Sequence, residues 1–392
     1  MSDLLTLPYE TETAYAERTN LRRRTLYPAE QVECGATMMF PSSPDSFYEV
    51  GPRSYEFPAV TLTEMHDVVV RGGSNILTTR DAIVRHDLIA LDRDVTPEEF
   101  YGWLGMTPDR KIAAWRPRDP FEVDYLPEAA VFTDRVAVNY AHWLTEVLPR
   151  IAAFAKLPGV AGVPLVVDDN LHPNMYRSIA LAAPESPVRR LGRRHALRIG
   201  RAHNVSPTGY VQFMLRGALR ENYHGAFSQG ALTDMVARLR QAAGAELPQG
   251  RTGRKLFIRR QTRVRRMVTE PQIAELLTQL GFEMVQPELL SFDEQVRTFS
   301  SASLVVCSAG AAATNLLFCP PGCPVVMLIP RLRHVSYWYW RSMAPHVALV
   351  HANGPQLKSH EDPFHPEAND SDYRIELKDV LQAVAAAEAL RS

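Results

Sequence analysis

Between residues 254 and 330 the chain alternates short apolar runs with helix-forming segments, and this pattern constrains the fold more than any other feature. The runs are KLFIRR, FEMVQP, SLVVCS and PVVMLIP. Each has the length and aliphatic content of a strand covered on both faces. Thr269-Glu270-Pro271 supplies a cap and a first-turn proline for the first crossover helix, whose apolar face is Ile273, Leu276, Leu277 and Leu280 and whose stop is Gly281. Ser291-Phe292-Asp293-Glu294 has capping-box spacing and opens the second helix. AGAAATNLLF reads as a turn into the third. Four strands with short helical crossovers predict a Rossmann-like half-domain on a parallel sheet.

A chain of 392 residues exceeds what one core usually serves, so two domains are expected. Residues 131–155 read as a strand leading into a helix, with Trp143, Val147, Ile151 and Phe154 at helical spacing. Val163–Val167 suits a buried strand and MYRSIALAA a helix, giving a second α/β region. Upstream, Val68-Val69-Val70, the Arg71-Gly72-Gly73-Ser74-Asn75 turn and Ile76-Leu77, followed by AIVRHDLIALD, predict an antiparallel β subregion. Residues 1 to about 55 read as loops and short strands, AGAELPQGRTGRK as a linker, and YRIELKDVLQAVAAAEAL as a closing helix. The expected division is a β-rich α/β domain over 1–225, a Rossmann-like domain over 226–375 and a closing helix over 376–392.

A formal net charge of −1 gives no reason to expect nucleic acid or an anionic membrane as partner. No uncharged apolar run approaches 20 residues, so no membrane span is expected. MSDLLTLPYE lacks the basic start and apolar stretch of a signal peptide. Cys34, Cys307, Cys319 and Cys323 are too few and too uneven for a disulfide framework. The Cys319–Cys323 spacing would suit zinc, but no second pair completes a site, so no metal is expected and a cytoplasmic location fits.

Three features carry chemistry. Arg259, Arg260, Arg263, Arg265 and Arg266 place five cations within eight residues, beginning where the KLFIRR strand ends. Ligands of open α/β sheets bind beyond strand carboxyl ends, and guanidinium groups grip phosphate in pairs. A solvated loop would carry the same arginines. Ser308 to Asn315 (SAGAAATN) brings small residues between strand and helix, where Gly310, Ala311, Thr314 and Asn315 would let an anion approach backbone amides. Small residues also serve close packing. Together the two segments describe a diphosphate cradle. In Asn139-Tyr140-Ala141-His142-Trp143-Leu144-Thr145-Glu146, His142 and Glu146 stand four apart on a helix. A carboxylate that orients an imidazole and raises its basicity suits a general base, although a satisfied structural histidine has the same spacing. Asp92-Arg93-Asp94 has the look of a metal-binding acidic triplet but sits in a charged turn. Tyr337-Trp338-Tyr339-Trp340 offers stacking faces that core packing would also use.

At these motifs the sequence resembles glycosyltransferase family 61, whose bacterial members are often capsular polysaccharide biosynthesis proteins. The resemblance runs from about Val60 to the end and is strong in two blocks. One is NYAHWLTEVLPR; the other runs from IRRQTRVRRMVTE through GFEMVQPELLSFDEQVRTFSSA to AGAAATNLLF. It implies the GT-B architecture, with two Rossmann-like domains facing a cleft and the donor held mainly by the C-terminal one. It also implies inverting, metal-independent transfer of a sugar from a nucleotide-sugar donor, expected to be UDP-linked, to a carbohydrate acceptor, without a further cofactor. On that reading His142 and Glu146 serve the acceptor, Arg259, Arg265, Arg266, Gly310, Ala311, Thr314 and Asn315 the donor phosphates, and Glu288 the ribose. Two departures stand out. Cys307 and Ala309 replace the Gly and His of the family's Gly-x-His-Gly-Ala, and Thr269 replaces an Asn. They keep a noncatalytic sugar- or nucleotide-binding relative as the alternative.

Overall fold

The residues that alternate in the sequence assemble into a mixed α/β fold. The structure, a computed structural model, describes residues 6–42, 51–116, 123–193, 195–216, 225–248, 252–260, 262, 264–331, 338–358, 360, 367 and 370–391. They group into two compact units. The first comprises Met1–Glu30, Phe57–Glu221 and Phe227–Arg238, and the second Gln31–Glu56, Asn222–Ala226 and Leu239–Ser392.

The first unit is built on an eleven-stranded mixed sheet among the described residues. Val60–Arg71 (β1), Leu77–Thr78 (β2) and Ile83–Arg85 (β3) pair antiparallel in chain order. Leu7–Thr11 then lies parallel to β3, so this part of the sheet is itself mixed. Val123–Val131 (β4), Leu165–Asp168 (β5), Val188–Leu191 (β6) and Ala196–Val205 (β7) form its parallel part in the spatial order β6-β5-β4-β7. β7 then runs antiparallel to β1, from Ala196 opposite Arg71 to Val205 opposite Leu62. The chain leaves β4 toward β5 and β6 and returns to β7 on the other side. That reversal opens a crevice beyond the carboxyl ends of β4 and β7.

Two details lock this crevice. Asp168, at the end of β5, accepts the amides of Gly73 (2.5 Å) and Asp134 (2.8 Å), tying the turn after β1 to the loop after β4. Gly72 has no room for a side chain, since a Cβ there would meet the Gly192 carbonyl oxygen at 2.2 Å. The core beneath is Met65, Val68, Val131, Val166, Leu197 and Ile199, all essentially solvent-free.

The second unit carries a parallel sheet of six strands among the described residues. Arg254–Ile258 (β8), Glu283–Val285 (β9), Ala302–Ser308 (β10), Pro324–Pro330 (β11) and Ala348–Gly354 (β12) lie in the order β9-β8-β10-β11-β12. β11 is buried at every position, as a strand covered on both faces should be. The crossovers include the helices Glu270–Gln279 and Phe292–Ser300, the latter with the full Ser291–Glu294 capping box. Gly281, at φ +80°, ends the former. Thr269 does not cap that helix with its side chain; its hydroxyl donates to the Ile375 carbonyl instead (3.0 Å). Met38–Phe40 adds a last parallel strand beside β12, and Asn353 donates to the Phe40 and Pro41 carbonyls there. Residues 31–56 therefore group with the C-terminal half. The closing helix, Leu377–Ala389, buries Val380, Ala383, Val384 and Ala387 in the same core as Val326 and Val350.

The β9-β8-β10 order places the sheet's reversal between β8 and β10. The arginine run and the glycine-containing turn begin at the carboxyl ends of these two strands. Among the described residues no helix is long and apolar enough to cross a membrane.

Candidate functional site

The histidine–glutamate pair forms in the first unit. Asn139 caps the helical stretch by accepting the Ala141 amide (2.9 Å). The backbone is α-helical over Tyr140–His142, widens to π spacing over Trp143–Val147 and returns to α over Leu148–Ala155. Pro149 has no N–H to continue the ladder, and the Leu148 amide reaches the Trp143 carbonyl, five residues back. Trp143 anchors the wide turn, fully buried with its indole N–H on the Ser178 hydroxyl (2.9 Å). His142 Nδ1 meets Glu146 Oε1 at 2.5 Å, and the second Glu146 oxygen accepts the Val211 amide at 3.4 Å. With Nδ1 bound to the carboxylate, Nε2 is the nitrogen left to accept a proton. Burial opposes charge on His142. The charge and hydrogen bond of Glu146, with help from Asp134, outweigh it and raise the imidazole above 6.5.

This pair stands beside the β4–β7 crevice, where a small polar cavity is lined by Glu146, Asp134, Asn204, Val205 and Tyr210, among others. Arg150, one helical turn beyond Glu146, staples the two strand ends: its guanidinium donates to the Val205 carbonyl (2.8 Å), the Val131 carbonyl (3.4 Å) and Asn204 Oδ1 (3.3 Å). Asp134 stands three residues beyond the end of β4 and accepts a hydrogen bond from Asn75 (2.8 Å). Neither Arg150 nor Asp134 stands out in the sequence, although Asp134 sits where strand-end chemistry is expected.

In the second unit the arginine run divides by partner. Arg259 is paired with Glu270 (2.6 Å) and Arg266 with Asp372 (2.6 Å). Arg265 is held loosely, 3.9 Å from Asp370, and its backbone takes a φ of +53°, a strained value for a side chain of this size. Arg260 is half-buried at the sheet reversal; it donates to the Ala309 carbonyl (2.9 Å), and a Cβ on Gly310 would come within 3.1 Å of its Nε. Burial and then the like charge of Arg265 weaken the hold of Arg260 on its proton, while Tyr373 and Glu288 favour it. Arg260, Arg265, Arg266, Thr262 and Ser308 line a cavity of about 500 Å3. Arg263 lies outside the described residues.

The turn after β10 differs in part from the expected α-helix start. Ala311–Phe318 is a 3-10 helix following Gly310. Its geometry leaves the amides of Ala311 and Ala312 without intrahelical partners at an accessible surface. Thr314 and Asn315 are fully buried, and Asn315 donates to Gln295 Oε1 (3.1 Å), joining this helix to Phe292–Ser300. Their side chains thus serve the interior in this conformation. Glu288 is exposed in the single turn Pro287–Leu289 after β9.

The other two motifs are structural. Asp94 is solvent-free and paired with Arg93 (2.7 Å), and it accepts the Tyr210 hydroxyl (3.0 Å). Trp338 is buried with its indole N–H on the Gly225 carbonyl (3.0 Å); Tyr337 lies outside the described residues. Among the described residues no three His, Cys, Asp or Glu side chains converge to hold a metal ion.

Residues 140–326 match the family model described as Glycosyltransferase 61, a little under half of the chain. The matched segment contains both the His142–Glu146 pair and the Arg260–Gly310 turn region, and the match supports a glycosyltransferase role in glycan biosynthesis. No curated protein matches the chain.

Proposed function

We propose that the chain is an inverting glycosyltransferase that moves a sugar from a UDP-linked donor to a carbohydrate acceptor, without an obligatory metal, in polysaccharide or glycan biosynthesis. The observation that carries this reading is the cation-lined cavity at the β8–β10 reversal, where Arg260 and Arg265 are held close together with, among the described residues, only one weak carboxylate contact between them. Two neighbouring guanidinium groups repel each other unless an anion lies between them, and a diphosphate is such an anion.

In the reaction, His142 Nε2 takes the proton of the acceptor hydroxyl. The new bond from that oxygen to the anomeric carbon forms as the bond from carbon to the donor phosphate breaks. The electron pair leaves with the diphosphate. Arg260, Arg265 and the amides of Ala311 and Ala312 stabilise the charge that develops there. Glu146 holds the imidazole in the required tautomer and stabilises the imidazolium. Arg259 and Arg266, already paired with Glu270 and Asp372, shape the loop and reinforce the positive field. At Ala309, where the family resemblance leads one to expect a histidine, the backbone carbonyl accepts a hydrogen bond from Arg260, which holds that guanidinium at the cavity.

A thermal-shift screen against nucleoside diphosphates and nucleotide sugars tests the donor site. A ligand that binds only the folded state raises its melting temperature, and uridine diphosphate should give a clear rise. No shift with any nucleotide at millimolar concentration would remove the donor assignment.

A further inference from the structure

Arg265 lines the anion cavity of the second unit in a backbone conformation that arginine rarely adopts. Its φ of +53° is left-handed, a state that a side chain of this size keeps only where its surroundings hold it. Its Nε is shielded from solvent and has no hydrogen-bond partner among the described residues; Asp370 Oδ1 is 3.9 Å away. A guanidinium nitrogen in that state is matched by an oxyanion in the cavity.

The segment 370–374 does the holding. The Asp370 carbonyl accepts the Arg265 amide (3.1 Å), and Asp372 Oδ1 accepts the Arg266 amide (2.8 Å). Beyond them the Tyr373 amide donates to the Arg266 carbonyl (3.0 Å), and the Val268 amide donates to the Tyr373 carbonyl (2.9 Å). Among these contacts only Asp372 contributes a side chain. The segment is anchored on its far side too. The Leu357 amide donates to the Asp372 carbonyl (2.8 Å) and the Arg374 amide to the Pro355 carbonyl (3.2 Å), while the Tyr373 ring is buried in the same core as Met267. The arginine loop is thus shaped against a segment fixed from two other directions.

A carboxylate beside an arginine run has two opposite possible effects. As a rival anion it weakens phosphate binding; as an anchor it strengthens it. The contacts favour the anchor. The Asp372 ion pair is with Arg266, whose side chain is 63% exposed, and a pair so exposed contributes little. The charge-assisted bond from the Arg266 amide instead fixes the backbone right after Arg265.

We propose that Asp372 is a positioning residue for the donor diphosphate: by accepting the Arg266 amide it locks Arg265 in the left-handed conformation that keeps its guanidinium at the cavity beside Arg260. This role rests on the donor reading of that cavity.

The test is calorimetric titration of the full chain with uridine diphosphate and, in parallel, inorganic pyrophosphate, with denaturant melts of every variant. Asp372→Ala should weaken both ligands about tenfold. Asp372→Asn keeps an acceptor for the amide while the exposed Arg266 guanidinium turns to solvent, so affinity should stay within about threefold of wild type. Arg265→Ala should also weaken binding about tenfold. Adding Asp372→Ala to it should cost no more than about twofold further, because both changes remove the same contact. Asp372→Leu, which keeps the shape without an acceptor, replaces the alanine variant if that one does not fold. Affinity that is unchanged or tighter in Asp372→Ala, an asparagine variant as weak as the alanine one, or losses that multiply in the double variant would each overturn the proposal. If pyrophosphate binds wild type and uridine diphosphate does not, the nucleotide-donor reading fails, and the variants measured with pyrophosphate still decide the role of Asp372. If neither ligand binds wild type, both fall.

Discussion

Replacing Arg260 by methionine should separate binding from stability, because the two depend on different features of the same side chain. In the folded protein the guanidinium is half-buried, makes one charge-assisted hydrogen bond to the Ala309 carbonyl at 2.9 Å, and faces the like charge of Arg265. Hydrogen bonds to charged groups are worth about 1.5–3 kcal/mol, while partial burial of a cation beside another cation costs an amount of similar size. Methionine keeps most of the apolar stem, so the melting free energy should move by no more than about 1 kcal/mol in either direction. A diphosphate held between Arg260 and Arg265 loses one charge-assisted contact without relief. That corresponds to about 1.5–3 kcal/mol, or a Kd weakened roughly 10- to 150-fold. Titration of uridine diphosphate by calorimetry, with denaturant melts on the same samples, measures both quantities. The reasoning fails if affinity is unchanged in a variant of normal stability. Arg259→Met makes a useful contrast. Losing the 2.6 Å pair with Glu270 should perturb the loop, and nucleotide affinity should fall less than for Arg260→Met.

Three further outcomes follow from the geometry. Because Glu146 raises the pKa of His142, the acid limb of the kcat/KM profile should have its midpoint above 6.5, with activity rising as the imidazole loses its proton; Glu146→Gln should move that limb to lower pH and reduce the plateau. Burial raises the Glu98 carboxyl from 4.5 to about 7, so the folded state holds that proton more tightly than the unfolded chain and stability falls as pH climbs between those values. Glu98→Gln, which can still accept from Ser74, should therefore gain up to about 3 kcal/mol relative to wild type between pH 4 and pH 8 in denaturant melts. Gly72→Ala would push a Cβ into the Gly192 carbonyl at 2.2 Å and should destabilise the first unit by about 2 kcal/mol or more; an unchanged melting curve would mean this turn is looser than it looks.

Much of the second unit was legible because local rules decide it. The Ser291–Glu294 capping box, the Gly281 stop and the aliphatic runs each act over a few residues, and each forms where the sequence places it. The parallel order of those strands follows from their helical crossovers. What was not legible depends on distant partners. Which arginines of the run are closely paired is decided by Glu270 and by Asp372, the latter more than a hundred residues from Arg266 along the chain. The same distance hides the role of Thr269, whose hydroxyl is taken by Ile375. Met38–Phe40 is too short to announce itself, yet it completes the edge beyond β12. Asn315 has the composition of a ligand contact, but its amide is used by Gln295 in the interior.

The site in the first unit was half visible. The His142–Glu146 spacing predicts contact on any helix, and the contact survives the widened turn at Trp143–Val147. Pro149 four residues after Thr145 is the signal that the ladder must open there. The floor around that pair was hidden, because Glu12, His86, Asp134 and Arg150 meet only once β4 and β7 are neighbours.

The central claim is best tested by measuring nucleoside diphosphate release from a panel of nucleotide sugars, with and without glycan acceptors, for the wild-type chain and His142→Ala. The account predicts acceptor-dependent release by wild type, a fall of about 10²- to 10⁴-fold in turnover for the variant, and unchanged nucleotide affinity. Equal turnover by both proteins would contradict it.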